Sequence, residues 1–311
     1  MCSIGRRQNY GVTAVLPPEV RSIPEPTASY PRDRYLDLMK KALLDEIYAD
    51  VRPGHAVRPA GRLEPRALAR DALLWLLARG GFTLLRRSSA ESRARGTVVP
   101  LTAHTMIGRA RLDHLQLCIE TVLSDGTQGD LVEAGVWRGG ASIFMRAVLA
   151  AYEVSDRRVW LADSFMGLPP PDADAFPADR GSALHEDRTF SVGLEEVRKN
   201  FATYGLLDSQ VYFIPGWFKD TLPAAPIERI AVLRLDADLY ESTWQALTAL
   251  YDRVSTGGFI VIDDYRTMPP CRRAVDDFRE RNEITSTILQ IPGAADGVYW
   301  RRDDQRFATA T

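Results

Sequence analysis

The chain from Arg109 onward alternates short apolar runs with longer amphipathic segments. The apolar runs are "GDLVEAG", "RRVWLAD", "SQVYFIPG", "RIAVLRLDAD" and "GGFIVIDDY". Between them, segments such as "GASIFMRAVLAAYEV" and "STWQALTALYDRV" place apolar residues at helical spacing. This alternation predicts a parallel sheet flanked by helices, and right-handed crossovers make such a sheet doubly wound. The last stretch, "STILQIPGAADGVYWRR", predicts two strands joined by a turn at Pro292 to Gly297, which would form an antiparallel edge of the sheet.

The N-terminal third has a different pattern. Residues 1–32 are rich in Pro, Ser and Arg without periodicity, which predicts a flexible arm that ends near Pro31. The following stretch, "RDRYLDLMKKALLDEIY", predicts an amphipathic helix. Its apolar positions at helical spacing are Tyr35, Leu38, Met39, Leu43 and Ile47.

The most apolar window is "DALLWLLARGGFTLL", Asp71 to Leu85. It is shorter than the roughly 20 residues that a membrane span needs, and Arg79, Gly80 and Gly81 interrupt it. We therefore expect a buried or interfacial helix. Because Arg-rich and Leu-rich pieces alternate between Pro53 and Pro100, this part predicts an accessory helical region that serves as a dimer surface or a lid.

Composition narrows the class of protein. The 311 residues, 45% of them apolar, suffice for one large domain or one domain with an extension. A net charge of −2, from 39 basic and 41 acidic residues, gives no overall attraction to nucleic acid or to an anionic membrane. We therefore expect neither nucleic acid nor a membrane as a partner, and the partner must be inferred from local features of the sequence. Three scattered cysteines and an N-terminus without an apolar signal segment indicate a cytoplasmic protein.

Ligands of open parallel sheets bind outside the carboxyl ends of the strands, so the residues after each apolar run are the candidates. The first run ends in "VEAGVWRGGAS", where Glu133 precedes Gly135, and Gly139 with Gly140 opens the next helix. This spacing is not the G-x-G-x-x-G dinucleotide fingerprint. An acid before a glycine loop instead suits a ligand with a positive amine, such as the amino-acid part of S-adenosylmethionine, although glycines alone also fit an ordinary strand-to-helix turn.

The next two runs offer partners for the rest of such a ligand. Asp163 lies 30 residues after Glu133, and its carboxylate could accept hydrogen bonds from both ribose hydroxyls. The alternative is a turn or helix cap. The run "FIPGWF" ends in Trp217 and Phe218, which could flank an adenine ring or pack in the core. The amino acid, the ribose and the base of such a ligand thus each have a candidate binding residue, at the ends of three successive strands.

The fourth and fifth runs end in acids. Asp236 follows "RIAVLRL", and Asp263 with Asp264 follows "GGFIVI". If these strands are neighbours, three carboxylates converge at one point, where unpaired charges are costly. Ligation by oxygen atoms favours Mg²⁺ over zinc. Taken singly, Asp238 could cap the helix that starts near Tyr240, and Asp264 could cap a turn.

The sequence resembles the macrocin O-methyltransferase family, the metal-dependent sugar O-methyltransferases of natural-product pathways. The similarity extends from about Arg34 to Arg301. Between about Pro53 and Pro100, however, this sequence departs from the family pattern. It rests on the strings "RYLDLMKKALLDEIY", "AHTMIGRARLDHLQ", "LVEAGVWRGGAS", "DSFMGLPPPD", "SVGLEEVRKNFATYGLLD", "IPGWFKDTLP", "LRLDADLYESTWQAL" and "GGFIVIDDY".

The resemblance implies a Rossmann-like class I methyltransferase fold. This α/β fold has a mostly parallel seven-stranded sheet with helices on both faces, an antiparallel C-terminal hairpin and, here, an N-terminal helical extension. We expect a flexible arm over residues 1–32, a helical accessory or lid region over 33–104, the methyltransferase domain over 105–303 and a tail over 304–311. We also expect a homodimer or higher homo-oligomer through the N-terminal helical region.

The resemblance further implies that S-adenosylmethionine and Mg²⁺ are the cofactors and that a small-molecule glycoside is the acceptor. Glu133, Gly135, Asp163 and Ser164 would hold the cofactor, and Met106 with Ile107 would close over its methionine end. With the residues beside them, the predicted cofactor site comprises Thr105, Met106, Ile107, Glu133, Gly135, Trp137, Arg138, Gly139, Ser142, Asp163, Ser164, Gly216, Trp217, Phe218 and Asp236. The predicted metal ligands are Asp236, Asp263 and Asp264.

Asp236 is also the predicted general base. A sugar hydroxyl has a pKa far above neutrality, and a carboxylate beside the metal could take its proton. His104 and His185 are the rival bases. His185 lies in a long Pro- and Asp-rich loop where an exposed histidine is the simpler interpretation, and His104 either lines the cleft or packs. We assign the proton transfer to neither.

Alternatives from other classes fit some of these residues. A catechol also presents vicinal oxygens to a metal, so a phenolic O-methyltransferase is the nearest one. "LDADLY" resembles the DxD pair with which glycosyltransferases hold Mn²⁺, but an acid such as Glu133 has no role beside phosphates. A non-enzymatic cofactor-binding subunit would leave three clustered carboxylates without a purpose.

Overall fold

The computed structural model describes residues 30–47, 55–56, 65–82, 85–86 and 89–303. The predicted tail over 304–311 lies outside these residues, as does the predicted arm except for its last three residues, which belong to the first helix. The helices are α1 (Tyr30–Leu43), α2 (Pro65–Arg79), α3 (Ala90–Ala94), α4 (Gly108–Ser124), α5 (Gly140–Ala151), α6 (Leu194–Thr203), α7 (Phe218–Thr221), α8 (Tyr240–Leu250) and α9 (Pro269–Arg281). The strands are β1 (His55–Ala56), β2 (Leu85–Arg86), β3 (Asp130–Ala134), β4 (Val159–Asp163), β5 (Val211–Pro215), β6 (Ile230–Leu235), β7 (Val254–Ile262), β8 (Leu289–Gln290) and β9 (Val298–Arg301).

The main sheet has seven strands in the order β5-β4-β3-β6-β7-β9-β8. Strands β3 to β7 pair in parallel, whereas β9 is antiparallel to both β7 and β8. The predicted class I methyltransferase fold is therefore confirmed, together with the predicted C-terminal hairpin. A separate antiparallel pair is formed by β1 and β2.

The central strands are buried on both faces, which is why they read as continuous apolar runs. Every residue of β6 is buried. On one face, Leu131 and Val232 pack beneath α4 and α5, and on the other face Val132 and Leu233 pack beneath α8 and α9. This packing fixes the strands in register and brings the ends of β3, β4, β6 and β7 to one edge of the sheet.

Helix α1 packs against α5, but its buried face differs from the predicted one. Leu36, Met39 and Leu43 are buried, as predicted in part, whereas Leu38 and Ile47 are exposed and were placed wrongly. Lys40 takes a core-facing position instead. Its aliphatic stem is buried, while its ammonium group lies 2.5 Å from Asp113 and 5.2 Å from the centre of the Phe144 ring.

Helix α2 covers most of the apolar window, but it is mostly exposed. Leu74 is buried, whereas Leu73, Trp75 and Leu76 are exposed, so the described residues do not bury this helix, and the interfacial alternative stays a prediction. None of the described helices combines the length and the apolar content that crossing a bilayer requires.

Candidate functional site

The carboxyl ends of five neighbouring strands line one cavity of about 660 Å³. Its volume is in the range of small-molecule sites. In sheet order the tips carry Trp217 after β5, Asp163 on β4, Glu133 on β3, Asp236 after β6 and Asp263 after β7. The aromatic and acidic candidates therefore follow one another along a single edge, in the order base, ribose, amine and metal that the sequence predicts.

Most of the predicted site residues line this cavity. They are Thr105, Met106, Ile107, Glu133, Gly135, Trp137, Asp163, Ser164, Gly216, Trp217, Phe218, Asp236, Asp263 and Asp264. Arg138, Gly139 and Ser142 do not belong to the lining. Each has another place: Gly139 packs on α6, Ser142 donates a hydrogen bond to Glu133, and Arg138 bonds to main-chain carbonyls.

The loop between β3 and α5 requires its first glycine. Gly135 has a positive φ of 89°, and a Cβ atom there would collide with the carbonyl oxygen of Asp236 on the neighbouring strand tip. Trp137 also adopts a positive φ, of 48°, and its indole lines the cavity. This loop thus lets the β3 and β6 tips approach closely.

Asp163 organises the same loop. Its carboxylate accepts hydrogen bonds from the backbone amides of Val136 and Phe165, both at 2.7 Å. Burial raises the pKa of Asp163, and the hydrogen bond from Val136 opposes that rise. The side chain therefore fills the turn-capping role considered for it while it lines the cavity, and its ribose role stays a prediction.

Glu133 and Arg234 form a buried ion pair. Arg234 Nη1 lies 2.5 Å from Glu133 Oε1, while Ser142 donates to the other carboxylate oxygen. Burial raises the pKa of Glu133 to about 7, against the opposing charge of Arg234. Both oxygens of Glu133 thus already have partners, and its role toward a cofactor amine stays a prediction.

Arg234 was missed in the sequence, and its position offers a signal. It is a charged residue inside the apolar run "IAVLRL", and such a residue is buried only when it is paired. Besides Glu133, it contacts Asp236 at 2.9 Å and Asp263 at 2.7 Å. Burial opposes its charge, but the three acids raise the pKa of Arg234 well above its usual value.

The predicted metal acids converge. Asp236, Asp263 and Asp264 each offer an oxygen, and these oxygens lie within 4.8 Å of one another. Oxygens on opposite sides of a Mg²⁺ ion are about 4.2 Å apart, so a small contraction would bring the three acids onto one ion. Burial, followed by repulsion from Asp238 and the other acids, raises the pKa of Asp264 well above its usual range. The cluster therefore has the ligand chemistry and the excess negative charge that suit a divalent cation.

Two further residues lie near the cluster: Arg111 carries no sequence signal of its own, and Asp238 was considered only as a helix cap. Arg111 of α4 pairs with Asp263 and also donates to the carbonyl oxygens of Ile107 and Gly96. Asp238 has a positive φ of 54°, and burial followed by repulsion from Asp236 raises its pKa to about 7. The alternative role considered for Asp238, a cap of α8, is not what the structure has, because Leu239 occupies the N-cap position and Asp179 supplies the cap.

Two segments cover the cavity. The first, residues 100–107, contains His104, whose Nδ1 atom lies 2.7 Å from the hydroxyl of Tyr204 and whose pKa is lowered by burial. Arg138 donates to the carbonyl oxygens of Leu101 and Ala103 at 3.0 and 2.9 Å and so fixes this segment. His104 thus both lines the cavity and packs against Tyr204, which are the two alternatives considered for it.

The second cover, residues 164–193, joins β4 to α6 and supplies Leu168, Pro169 and Phe190 to the cavity. His185 lies in a short 3-10 turn of this cover, 3.9 Å from Glu186, and it does not line the cavity. His185 therefore lies at an exposed loop position, as the sequence predicts.

Comparison with known proteins shows which proteins this chain is similar to. Residues 32–302 match the macrocin O-methyltransferase (TylF) family. The sequence is 51% identical over 271 residues to 8-demethyl-8-(2,3-dimethoxy-alpha-L-rhamnosyl)-tetracenomycin-C 4'-O-methyltransferase of Streptomyces olivaceus, covering 87% of this chain and 93% of that protein. It is 47% identical over 272 residues to demethyldecarbamoylnovobiocin O-methyltransferase of Streptomyces niveus, covering 86% and 93% of the two chains. The solved structure of the O-methyltransferase NovP superposes with a TM-score of 0.74 at 45% identity, covering 88% of this chain and 99% of that one.

Proposed function

The chain belongs to the macrocin O-methyltransferase family and is an O-methyltransferase, and from this membership and the site we propose that it methylates a sugar hydroxyl of a glycosylated natural product, with S-adenosylmethionine as donor and Mg²⁺ as cofactor. The observation that carries the proposal is the order of side chains along one sheet edge: Trp217, Asp163, Glu133 and then the acids after β6 and β7. Family membership leaves the glycosyltransferase and non-enzymatic alternatives without support.

The cofactor would lie across the tips of β5, β4 and β3. Trp217 and Phe218 present rings where a base can stack. Asp163 presents a carboxylate for the ribose, and the main chain around Gly135 leaves room for the methionine part. Met106 and Ile107, held through Arg138 and the tight approach of Gly140 to the carbonyl of His104, close this end of the cavity.

The acceptor would lie between the metal acids and the second cover. A relative's name specifies methylation at the 4' position of a rhamnosyl derivative, and another relative is the mycinamicin III 3''-O-methyltransferase. Sugars offer vicinal hydroxyls for chelation, and Leu168, Pro169 and Phe190 offer an apolar wall for the rest of a glycoside. A sugar hydroxyl of a tailored antibiotic is therefore the acceptor class that we propose.

When bound, Mg²⁺ would lower the pKa of the acceptor hydroxyl, and S-adenosylmethionine would supply the methyl group. Asp236, Asp263 and Asp264 would hold the ion. Arg234 and Arg111 orient Asp263 by pairing with its two oxygens. Asp236, whose side chain is 27% exposed, faces the cavity and would accept the hydroxyl proton as general base. The two covers, which supply His104 and Phe190 to the cavity, would help to exclude water and to position the acceptor beside the cofactor.

We also propose that two copies of the chain associate through the accessory region over residues 33–104. Helix α2 is apolar on most sides, and a helix of that kind is stable in water only when it is covered. Its Leu73, Trp75 and Leu76 would meet the same residues of a second copy. The division into an arm, this accessory region, the methyltransferase domain over 105–303 and a tail is part of the same proposal.

The direct test is transfer of a radiolabelled methyl group from S-adenosylmethionine to an aryl α-L-rhamnoside, compared with the corresponding 2,3,4-trideoxy glycoside and with a catechol. We expect labelling of the rhamnoside only, dependent on Mg²⁺. Preferential labelling of the catechol would instead support the phenolic alternative. Labelling of neither the rhamnoside nor the catechol would contradict the proposed acceptor chemistry.

A further inference from the structure

Helix α8, which follows the proposed catalytic strand tip, receives its N-terminal cap from a distant part of the chain. Leu239 occupies the N-cap position and makes no side-chain cap. Instead, Asp179 accepts hydrogen bonds from the backbone amides of Tyr240 at 2.7 Å and Glu241 at 2.9 Å, one with each carboxylate oxygen. The first amides of a helix otherwise lack partners, and a negative charge is favourable at this end.

Asp179 is built into the second cover and is 1% exposed. It ends a 3-10 turn, Pro177–Asp179, and Phe176 packs on Tyr240 with ring centres 6.1 Å apart. The same cover is fixed near its other end, where the indole nitrogen of Trp137 donates to the carbonyl oxygen of Thr189 at 2.8 Å. The cover is therefore fastened both to the glycine loop and to α8.

The capped end of α8 is joined to Asp236 by a short strained turn. Within it, Asp238 has a φ of 54° and the Leu239 amide lies 2.5 Å from the carbonyl oxygen of Ala237. Such a turn keeps its shape only if both of its ends are held. Pairing of β6 with β3 and β7 holds the first end, and Asp179 holds the second.

We propose that Asp179 is a positioning residue that fixes the turn carrying Asp236 and Asp238. The second cover and the end of β6 that carries Asp236 are then structurally coupled through α8. The side chain does not line the cavity, and it acts through the backbone amides of α8. Loss of the cap would let the turn relax and move the Asp236 carboxylate away from the other two acids. The proposal rests on the proposed function for its catalytic and metal-binding consequences, but not for the effect on the α8 amides.

The test compares Asp179→Ala with Asp179→Asn in the full-length protein. Asn keeps one acceptor oxygen, whereas Ala keeps none. For Asp179→Ala we expect faster hydrogen exchange of the Tyr240 and Glu241 amides, Mg²⁺ affinity by calorimetry lowered about 10-fold or more, and kcat lowered about 10- to 100-fold, as for a catalytic group displaced by about 1 Å. Affinity for S-adenosylhomocysteine should change less than about 2-fold, and Asp179→Asn should recover much of each loss.

The matched control is Asp208→Ala. Asp208 also accepts a backbone amide, from Gln210 at 3.0 Å, and pairs with Arg146, but it precedes β5 at the opposite end of the sheet. We expect this variant to lose stability without loss of Mg²⁺ affinity or kcat. Unchanged exchange at Tyr240 and Glu241 in Asp179→Ala would overturn the proposal, as would wild-type Mg²⁺ affinity in that folded variant. If wild-type protein neither binds Mg²⁺ nor transfers methyl groups, the proposed function fails, while the exchange measurement still decides the role of Asp179.

Discussion

Arg234 Nη1 lies 2.5 Å from Glu133 Oε1, and the two residues are directly opposite each other on neighbouring parallel strands. The same guanidinium contacts Asp236 and Asp263. A single buried cation therefore connects the tip predicted to receive the cofactor amine with the tips that carry the metal acids. Glu133, which is fully buried, has no other ion pair among the described residues, whereas Asp263 also pairs with Arg111.

The first prediction concerns this charge balance. Replacing Arg234 by Met leaves the buried Glu133 without its cationic partner, and breaking a buried pair from one side typically costs about 3–5 kcal/mol. The free energy of unfolding, measured in urea without Mg²⁺, should fall by this amount. The control is Arg272→Met, which breaks an exposed pair with Asp276 at 3.5 Å and should cost less than about 1 kcal/mol. Equal losses in the two variants would show that Arg234 has no special role.

The second prediction concerns Asp163 and the cofactor. Asp163→Ala should weaken the binding of S-adenosylhomocysteine by about 1–3 kcal/mol, through loss of a hydrogen-bond acceptor for the ribose and of the support for the Val136 amide. Calorimetry without metal measures this affinity. Asp130→Ala is the matched control, because Asp130 accepts from the Arg158 amide at the other end of the same two strands. An Asp163 variant that binds as tightly as the wild type would remove this residue from the ribose role.

The third prediction is a pH dependence of metal binding. Burial and neighbouring acids raise the pKa of Asp238 to about 7 and the pKa of Asp264 well above its usual range. A metal needs deprotonated ligands. Binding of Mg²⁺ should therefore release protons from Asp264, a proposed ligand, and from Asp238 beside it, and its affinity should rise as the pH rises through about 7, the pKa of Asp238. Calorimetry in two buffers with different ionisation enthalpies measures the release, and heats that are independent of the buffer would contradict it.

The same raised pKa values determine how the stability of the metal-free protein changes with pH. Acids with raised pKa values in the folded state contribute stability that is fully present below their unfolded pKa of about 4. This contribution is lost as the pH rises through about 7, the value that burial gives to Asp238. The metal-free protein should therefore lose stability over this interval, and Mg²⁺ should restore stability most at the upper end. Thermal unfolding at several pH values, with EDTA or Mg²⁺, measures both effects.

The parts of the site that the sequence predicts are those with a local signal. Strands buried on both faces read as apolar runs, so their last residues, and with them Asp163 and Asp236, could be found directly. Asp263 could be grouped with Asp236 because consecutive strands of a parallel sheet are often neighbours. Here β6 and β7 do pair, in the register that sets Leu235 beside Ile262.

What the sequence did not reveal depends on contacts between distant residues. Asp179 and Tyr240 are separated by 61 positions, and no periodicity connects a turn in a Pro-rich cover with a helix start. The face of α1 was misjudged because Lys40 uses its aliphatic stem as a core residue, and polarity alone does not show that. The exposure of α2 could not be predicted either. An apolar pattern indicates that a helix must be covered, but it does not indicate whether the same chain or a second copy covers it.

The fourth prediction concerns helix α2. If two copies associate through it, Trp75→Ser together with Leu76→Ser should weaken the dimer by at least about 10-fold, because burying a large apolar side chain contributes about 1.5–3 kcal/mol. These side chains are 61% and 63% exposed in the single chain. Sedimentation equilibrium measures the change. Leu117→Ser, at a position of α4 that is 57% exposed, should leave the association unchanged. A wild-type protein that stays monomeric at all concentrations would contradict the proposal.

The last prediction separates metal ligation from proton transfer at Asp236. Asn at position 236 or at position 264 should weaken Mg²⁺ binding, since an amide oxygen is a poorer ligand than a carboxylate. Excess Mg²⁺ should then restore turnover in Asp264→Asn, whose defect is one of ligation. It should not restore turnover in Asp236→Asn, because an amide cannot accept the hydroxyl proton, and removal of a general base typically costs about 10²–10⁴-fold. The measurement is the initial rate of methyl transfer to a vicinal-diol glycoside as a function of Mg²⁺ concentration.

Asp238→Asn completes this comparison, because Asp238 lines the same cavity two positions after Asp236 and beside Asp264. If Asp236 is the base, Asp238→Asn should retain turnover within about 10-fold of the wild type at saturating Mg²⁺. If instead Asp236→Asn recovers fully while Asp238→Asn stays inactive with normal Mg²⁺ affinity, the proton goes to Asp238. Full recovery of both variants would leave His104, which also lines the cavity, as the next residue to replace. Burial lowers the pKa of His104, which favours the neutral imidazole that can accept a proton.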